Sequence, residues 1–425
     1  MRSIPISSLG LSKKASTQAT SFFLNKFGLV ISAIMLILAA WAGQTVIVIL
    51  LGLVLGVAAL SRLWSYLSLK GVRFERLLSE TRVFPDESLE LKLKITNRKL
   101  LPLPWIEIAD QVPSGFISGL VYNPNAKPGY ESIVNFTAIL WYSSITWKYR
   151  LLCKKRGYYI LGLLSVTSGD IFGFYPRTVN ESSRQTIIVY PRIYPVSHLH
   201  IPSLYPLGEV KSEKRIFEDP SRTIGIREYL PGDSLRRIHW KASARQQQLQ
   251  VKIFEPTTTL KVAIFLAVDT FREIGTWKEN ELELGISTAA SLASYLIEKN
   301  SQVGLWANTK MADSGYPARI TPGSGIDRLV QIFEALAKVV PISNAPFLDY
   351  FQEERKSLMM GLTLIFVISE IPDKMVQTII DLKQAGYKIL VFQISKSVGS
   401  VPITDITWYN IDNAVQLGQL VPKEL

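Results

Sequence analysis

The stretch "LKVAIFLAVDT", Leu260 to Thr270, holds seven consecutive apolar residues, Val262 to Val268, between Lys261 and Asp269. A run so short and unbroken suits a strand buried on both faces, as in a parallel sheet covered by helices. The sequence beyond it alternates. A helical pattern fills "ENELELGISTAASLASYLIEKN" (279–300), "SQVGLWAN" reads as a strand and "GIDRLVQIFEALAKVV" (325–340) as a helix. "LTLIFVISE" (362–370), "DKMVQTIIDLKQAG" (373–386) and "YKILVFQIS" (387–395) repeat strand, helix, strand. Such alternation predicts βαβ units on a parallel sheet, an α/β domain over 259–425. Ligands in these folds sit beyond the carboxyl ends of the strands, where Asp269 and Glu370 stand. The glycine-rich "TPGSG" (321–325) reads as a plain connection into a helix.

Just upstream, "REYLPGDSLRRIHWKASAR" (227–245) gathers four arginines, a lysine, a histidine and a tryptophan around Pro231-Gly232. As a general base, His239 would need a nucleophile and an orienting carboxylate, for which Ser243 and Asp233 are at hand. The reading preferred here is structural. Pro231-Gly232 turns the chain, and Asp233 caps a short helix from Ser234 onward. Arg236, Lys241 and Arg245 then fall near one helical face, and Trp240 is an apolar anchor toward a neighbouring domain or a partner. Residues 181–258 form the connecting segment that carries this stretch.

Further upstream the period becomes two. "SLELKLKITNR" (88–98) alternates as a half-buried strand does. "LPLPWIEIADQVP" (101–113) places Pro102 and Pro104 at the edge or start of a strand. Aromatic and β-branched residues over 131–162 predict further strands, with Trp141 and Trp147 as core or sheet-face residues. "SGDIFGFYP" (168–176) is a tight structural turn around Asp170, and "IIVYPR" (187–192) a short strand closed by proline. The simplest architecture for 71–180 is an immunoglobulin-like sandwich.

No charge interrupts the 35 residues Phe27 to Ser61. One helix of that length would span about 52 Å, against a hydrocarbon core of about 30 Å. With Ala42-Gly43-Gln44-Thr45 at its centre, the run predicts a transmembrane hairpin over 26–66, with helices near 27–43 and 45–64. Lys13, Lys14 and Lys26 precede it and Arg62, Lys70, Arg73 and Arg76 follow. The positive-inside rule then places both termini and the soluble mass in the cytoplasm, a multi-pass arrangement in the cell membrane. Residues 1–25 read as a flexible tail. The net charge of +12 is expected to serve the anionic bilayer surface rather than nucleic acid. The lone cysteine, Cys153, excludes an intrachain disulfide.

Familiar catalytic patterns are missing: no G-x-x-x-x-G-K-[ST], H-E-x-x-H, G-x-S-x-G or paired C-x-x-C occurs. His198 and His200 would share a strand face but lack a third ligand. No catalytic residue is assigned.

The stretch "REYLPGDSLRRIHWKASARQQQLQVKIFEP" resembles the signature of the domain of unknown function 58 family. Arg227, Tyr229, Gly232, Asp233, Arg236, Ile238, Trp240, Lys241, Ala244, Arg245, Leu249 and Glu255 occupy its positions. "KRGYYILG", "GDIFGFYPR" and "VYPR" resemble segments that precede it in that family. The resemblance implies a bacterial, inner-membrane-anchored chain with a von Willebrand factor A-like C-terminal domain. It also implies association with a MoxR-type AAA+ ATPase and other membrane-associated proteins, in a chaperone-like assembly or maturation role, without enzymatic activity. The metal-ion-dependent adhesion site of A-like domains takes D-x-S-x-S, whose oxygens complete a shell for Mg²⁺. Phe271 and Glu273 stand at its serine positions, and Ser369-Glu370 replaces an aspartate-glycine pair. No metal or other cofactor is therefore expected, Asp269, Thr270 and Glu370 being the ligands left for one. The expectation is a non-enzymatic interaction scaffold. The alternatives are a hydrolase or nuclease centred on Asp233 and His239, or a metal-dependent adhesion protein.

Overall fold

The computed structural model describes residues 26–116, 128–181, 184–197, 199, 218–230, 238–256, 260–273, 276–343, 345–358, 362–371, 373–395 and 406–420. The chain divides into two units, Met1–Tyr190 and Pro191–Leu425.

The first unit begins with two apolar helices, α1 (Lys26–Trp41) and α2 (Thr45–Ser68). Gly43 ends α1: at φ +70 its N–H reaches Ala40 O, while Gln44 N–H reaches back to Ala39 O, so two of the last carbonyls find donors. The stop falls two residues before the expected one, and α2 runs four residues past its expected end. Of the two, α2 is long and apolar enough to cross a bilayer, and α1 is a shorter apolar helix.

Among the described residues, ten strands follow: β1 (Val72–Leu78), β2 (Arg82–Val83), β3 (Ser88–Asn97), β4 (Leu103–Pro113), β5 (Tyr130–Ile139), β6 (Ser144–Leu152), β7 (Gly157–Ile160), β8 (Leu164–Ser168), β9 (Arg177–Glu181) and β10 (Thr186–Val189). They form three sheets, β1-β3-β6, β5-β4-β8-β9 and β2-β10-β7. The alternation read in β3 is real: Leu89, Leu91, Leu93 and Ile95 are buried, with Lys92 and Lys94 on the other side of the pleat. Val72, Phe74 and Ile95 from one sheet pack against Leu103, Ile106, Ile108, Ile139, Leu164 and Val166 from another.

Pro102 precedes β4 and Pro104 is its second residue, at the start of the strand as expected, where the ladder is irregular from Leu103 to Ile106 and needs no proline N–H. One expectation needs correction. Trp141 is no core residue, being 58% exposed at the β5–β6 turn, whereas Trp147 packs half-buried on two apolar clusters. Asp170 behaves as read: buried, its carboxylate accepts from Phe172 N (3.1 Å) and Tyr175 N (2.8 Å) and ties the turn. One feature was not legible in sequence. Arg76 of β1 and Asp110 of β4 form a buried, two-point ion pair, and Arg76 also donates to Gly162 O at 3.1 Å. Burial pushes the Asp110 carboxyl up to about 6 against the pull of Arg76.

The second unit opens with an antiparallel pair, β11 (Glu218–Glu228) and β12 (Gln250–Pro256), between which lies α3 (Trp240–Gln246). Next come β13 (Lys261–Leu266), the two-residue strands β14 (Arg272–Glu273) and β15 (Thr276–Trp277), α4 (Glu279–Glu298), β16 (Gln302–Met311), β17 (Pro317–Gly323) and α5 (Ile326–Lys338). The unit closes with β18 (Val339–Ser343), α6 (Phe347–Arg355), β19 (Thr363–Ile368), α7 (Asp373–Gln384), β20 (Lys388–Gln393) and β21 (Thr407–Asn410). The sheet order is β17-β16-β13-β19-β20-β21, with β18 also on β16. β16, β13, β19, β20 and β21 are mutually parallel, as the alternation predicts, and β17 runs antiparallel at the edge.

Phe265 of β13 stacks on Trp306 (5.2 Å) and Phe366 (5.6 Å), with Phe347 and Phe351 of α6 against the same cluster. Val262, Ile264 and Leu266 alternate to the opposite face. Gly285 of α4 lets that helix lie close: a Cβ there would stand 2.7 Å from the Phe271 ring.

Candidate functional site

The order of the sheet reverses between β13 and β19, so the carboxyl ends of these two strands flank a topological switch point. β13 leads into the turn Val268–Phe271, and β19 into Ser369-Glu370. Here the structure gathers the sequence-predicted Asp269, Thr270 and Glu370, together with side chains the sequence did not single out.

Asp269 is held from two sides. One carboxylate oxygen accepts from Asn308 Nδ2 at 2.7 Å, and the other from Phe347 N at 2.9 Å, the first residue of α6. An acidic group there satisfies an otherwise unpaired helix N–H and complements the helix dipole. Asn308, buried, uses its own carbonyl for Val268 N (2.7 Å) and its amide for Ala345 O (3.1 Å). Thr270 Oγ1 donates to Ala267 O (2.7 Å) and accepts from Ser369 N (3.0 Å), joining the ends of β13 and β19. Ser369 Oγ in turn donates to Glu281 Oε2 of α4 at 2.9 Å.

Glu370 faces a cation supplied by the chain. Lys278 Nζ lies 2.9 Å from Glu370 Oε1 and 3.1 Å from Glu273 Oε2. Its hydrogen bond to Glu370, supported by Glu273, holds the ammonium above its usual pKa despite partial burial. Lys278 is the residue before α4, where a cation is disfavoured by the helix dipole, and the two glutamates offset that cost.

This donor set does not fit a divalent ion. Both Asp269 oxygens serve Asn308 and Phe347, the Thr270 hydroxyl serves backbone groups, and Lys278 occupies Glu370 and Glu273. Phe271, at a serine position of the adhesion motif, is buried against α4. Among the described residues, no group of three or more His, Cys, Asp or Glu side chains could hold a metal ion. Lys278 and Asn308 were missed because neither falls inside the metal motif. Their only sequence signal is a polar residue beside a strand end or a helix start.

The signature stretch is built differently. Tyr229 N donates to Leu249 O and His239 N to Gln250 O, so the segment continues the β11–β12 pairing, with Ile238 bridged to Val251. His239 is the N-cap of α3: its Nδ1 accepts from Ala242 N at 3.1 Å. Ser243 Oγ donates to His239 O (3.1 Å) and accepts from Gln250 N (2.9 Å). The histidine–serine pair thus meets through backbone, and the imidazole does not face the hydroxyl as a base faces a nucleophile. The described helix begins at Trp240; Gly232, Asp233 and Arg236, with the expected cap at Asp233, lie outside the described residues. Lys241 and Arg245 stand one turn apart on α3, both exposed, as is Arg227 on β11. Trp240 is 70% exposed. His198 and His200 also lie outside the described residues.

Residues 225–400 match the family model described as protein of unknown function DUF58. The uncharacterised protein YeaD of Bacillus subtilis (strain 168) is 24% identical over 239 residues, which is 56% of this chain. The match spans 56% of that relative's own length. Among solved structures, the chain is similar to the sporulation control protein Spo0M of Bacillus subtilis: 9% identity, 28% of this chain, 49% of that one, TM-score 0.18. It is also similar to PapD-like domain 7 of human CEP192: 13% identity, 28% of this chain, 84% of that one, TM-score 0.17. At such scores these two likenesses carry no structural argument. The signature stretch and the sheet strands from β13 to β20 fall within the segment 225–400 that matches the DUF58 family model.

Proposed function

We propose that the chain is a membrane-anchored, non-enzymatic interaction scaffold whose DUF58 segment docks a partner through the signature hairpin. The observation that carries this is the state of the signature side chains. His239 is committed to capping α3, while Trp240 beside it is 70% exposed and followed by exposed Lys241 and Arg245. An exposed tryptophan on a short helix that also carries exposed cations is the composition of a protein-binding hot spot rather than of a general-base site. The hydrolase reading is correspondingly less supported, and the cluster around Lys278 argues against metal-dependent adhesion.

In this reading α1 and α2 form a two-pass hairpin with both termini cytoplasmic, and the partner is a MoxR-type AAA+ ATPase. The face-to-face sheets of the first unit suit an immunoglobulin-like sandwich. The parallel sheet of the second, with one antiparallel edge strand, suits a von Willebrand factor A-like domain. Affinity capture of the tagged full chain from native membranes, with and without ATP, tests the proposal. The expected result is recovery of an AAA+ ATPase that Trp240→Ala loses and His239→Asn keeps. Absence of any such ATPase in both nucleotide conditions overturns it.

A further inference from the structure

The end of the first unit from which α2 emerges carries large apolar side chains outside its cores. Val72, the first residue of β1, pairs with Asn97, and Thr96 with Ser144; in the facing sheet Leu103 pairs with Ile139, and Ser168 with Arg177. The β3–β4, β5–β6 and β8–β9 connections therefore all lie at this end. They present Leu100, Leu140, Trp141, Tyr142, Ile171 and Phe172, whose exposures run from 56% at Ile171 to 74% at Leu100. The acidic residue in these connections, Asp170, is buried within its own turn.

Both tips are tied to the apolar helices. Phe174 and Tyr175 pack against Leu29 of α1 and Ala58 of α2, a turn inside the charge-free stretch that ends at Ser61, and Ser65 Oγ donates to Tyr175 O at 2.6 Å. Phe172 stacks on Phe174 with ring centroids 5.4 Å apart. The second tip sits at the far end of α2. Lys99 donates to Leu67 O (2.5 Å) and to Ser68 O, Tyr142 N reaches Lys99 O at 3.4 Å, and Asn97 Nδ2 joins Leu101 O and Leu140 O, each at 3.0 Å. From Ala58 to Ser68 α2 rises about 15 Å. Cations line this interval: Arg62 over the Tyr175 ring, and Lys70 and Arg177 over Tyr66.

We propose that this end of the first unit is a bilayer-contact face. The Ile171–Phe172 tip dips to the hydrocarbon boundary, and Leu100, Trp141 and Tyr142 lie in the headgroup layer of an anionic leaflet. The proposal rests on the reading that α2 spans the membrane. Aromatic residues favour the interface, cations beside them meet lipid phosphates, and peripheral apolar faces bury about 5–10 Å into the boundary. The same side chains left in water would form an exposed apolar patch of a kind soluble monomers rarely keep.

The test uses the full chain in vesicles of phosphatidylcholine and phosphatidylglycerol. Cys153 is fully buried, and its thiol is pushed up to about 12 by burial, so an introduced surface cysteine takes an environment-sensitive fluorophore selectively. Probes are placed by Phe172→Cys, by Leu53→Cys in α2, and by Ser88→Cys at the opposite end of β3. The expected result is lipid-borne quenching at Leu53 and Phe172, with loss of iodide quenching at both, and iodide quenching alone at Ser88. Iodide access at Phe172 with lipid quenching at Leu53 overturns the contact face and leaves the anchor standing. Protection of Phe172 from both quenchers also overturns it, as the mark of a protein neighbour. Iodide access at both Leu53 and Phe172 overturns the anchor as well.

Discussion

Lys278 and Glu370 meet at 2.9 Å across the switch point of the second unit, one from the residue before α4 and the other from the end of β19. The pair ties the start of α4 to the end of β19. Lys278→Met is expected to destabilise the protein by about 0.5–1 kcal/mol, a modest figure because the Glu370 side chain is 60% exposed. A double-mutant cycle with Glu370→Gln in urea unfolding checks it. Strict additivity would mean that the contact contributes nothing.

Asp269 is expected to matter for stability without magnesium. Asp269→Ala removes the acceptor of Phe347 N–H and one acceptor of the Asn308 amide, at a cost of about 1–3 kcal/mol. Thermal unfolding of the wild type and variant in Mg²⁺ and in EDTA reads this directly. A wild-type midpoint that rises with Mg²⁺, and no such rise in the variant, would make Asp269 a ligand.

The buried pair Arg76–Asp110 predicts a pH effect of definite sign. The Asp110 carboxyl, raised to about 6 by burial, holds a proton more readily folded than unfolded. Its contribution to stability is therefore full below the unfolded value near 4 and is lost as pH rises through about 6. Asp110→Asn should flatten that part of the stability–pH curve, a comparison made by urea midpoints at pH 4.5 to 7. Removing the partner alone, Arg76→Ala, should cost about 3–5 kcal/mol, because a buried carboxyl is left without its cation.

The signature histidine is expected to behave as a cap. His239→Ala should cost about 1 kcal/mol, and His239→Asn much less, since asparagine offers Ala242 N the same kind of acceptor. Hydrogen exchange at Ala242 measures it. Equal protection in both variants would remove the cap assignment.

Gly285 is required by contact rather than by backbone shape. In Gly285→Ala the new methyl would meet the Phe271 ring at 2.7 Å, and overpacking of this kind costs about 1–3 kcal/mol. A thermal midpoint equal to the wild type would show that Phe271 moves freely.

Periodicity carried far. The apolar run at 262–268 became a strand over Lys261–Leu266 with its turn, and the alternation at 88–97 a half-buried strand, because burial on two faces or on one demands those patterns; the charge-free stretch 27–61 became two apolar helices, of which α2 is long enough to cross a bilayer. Gly43 marked the helix turn through a conformation that glycine adopts without strain. Edges and exceptions were harder. The antiparallel β17, the short β18 and α6 carry no period long enough to stand out, and Trp141 looks like any core tryptophan until its turn is placed.

The amino-acid sequence by itself determined the strand–helix alternation of the parallel sheet, the signature stretch over 227–255 and the mismatch of Phe271 and Glu273 with a metal motif. These are local facts, set by residue type and spacing. Only tertiary structure decided that Lys278 would meet Glu370 over a separation of 92 residues and that Asn308 would hold Asp269. It also decided that Arg76 of β1 and Asp110 of β4 would pair in the interior of the first unit. Long-range pairings of this kind follow from strand order and register, which no single stretch encodes.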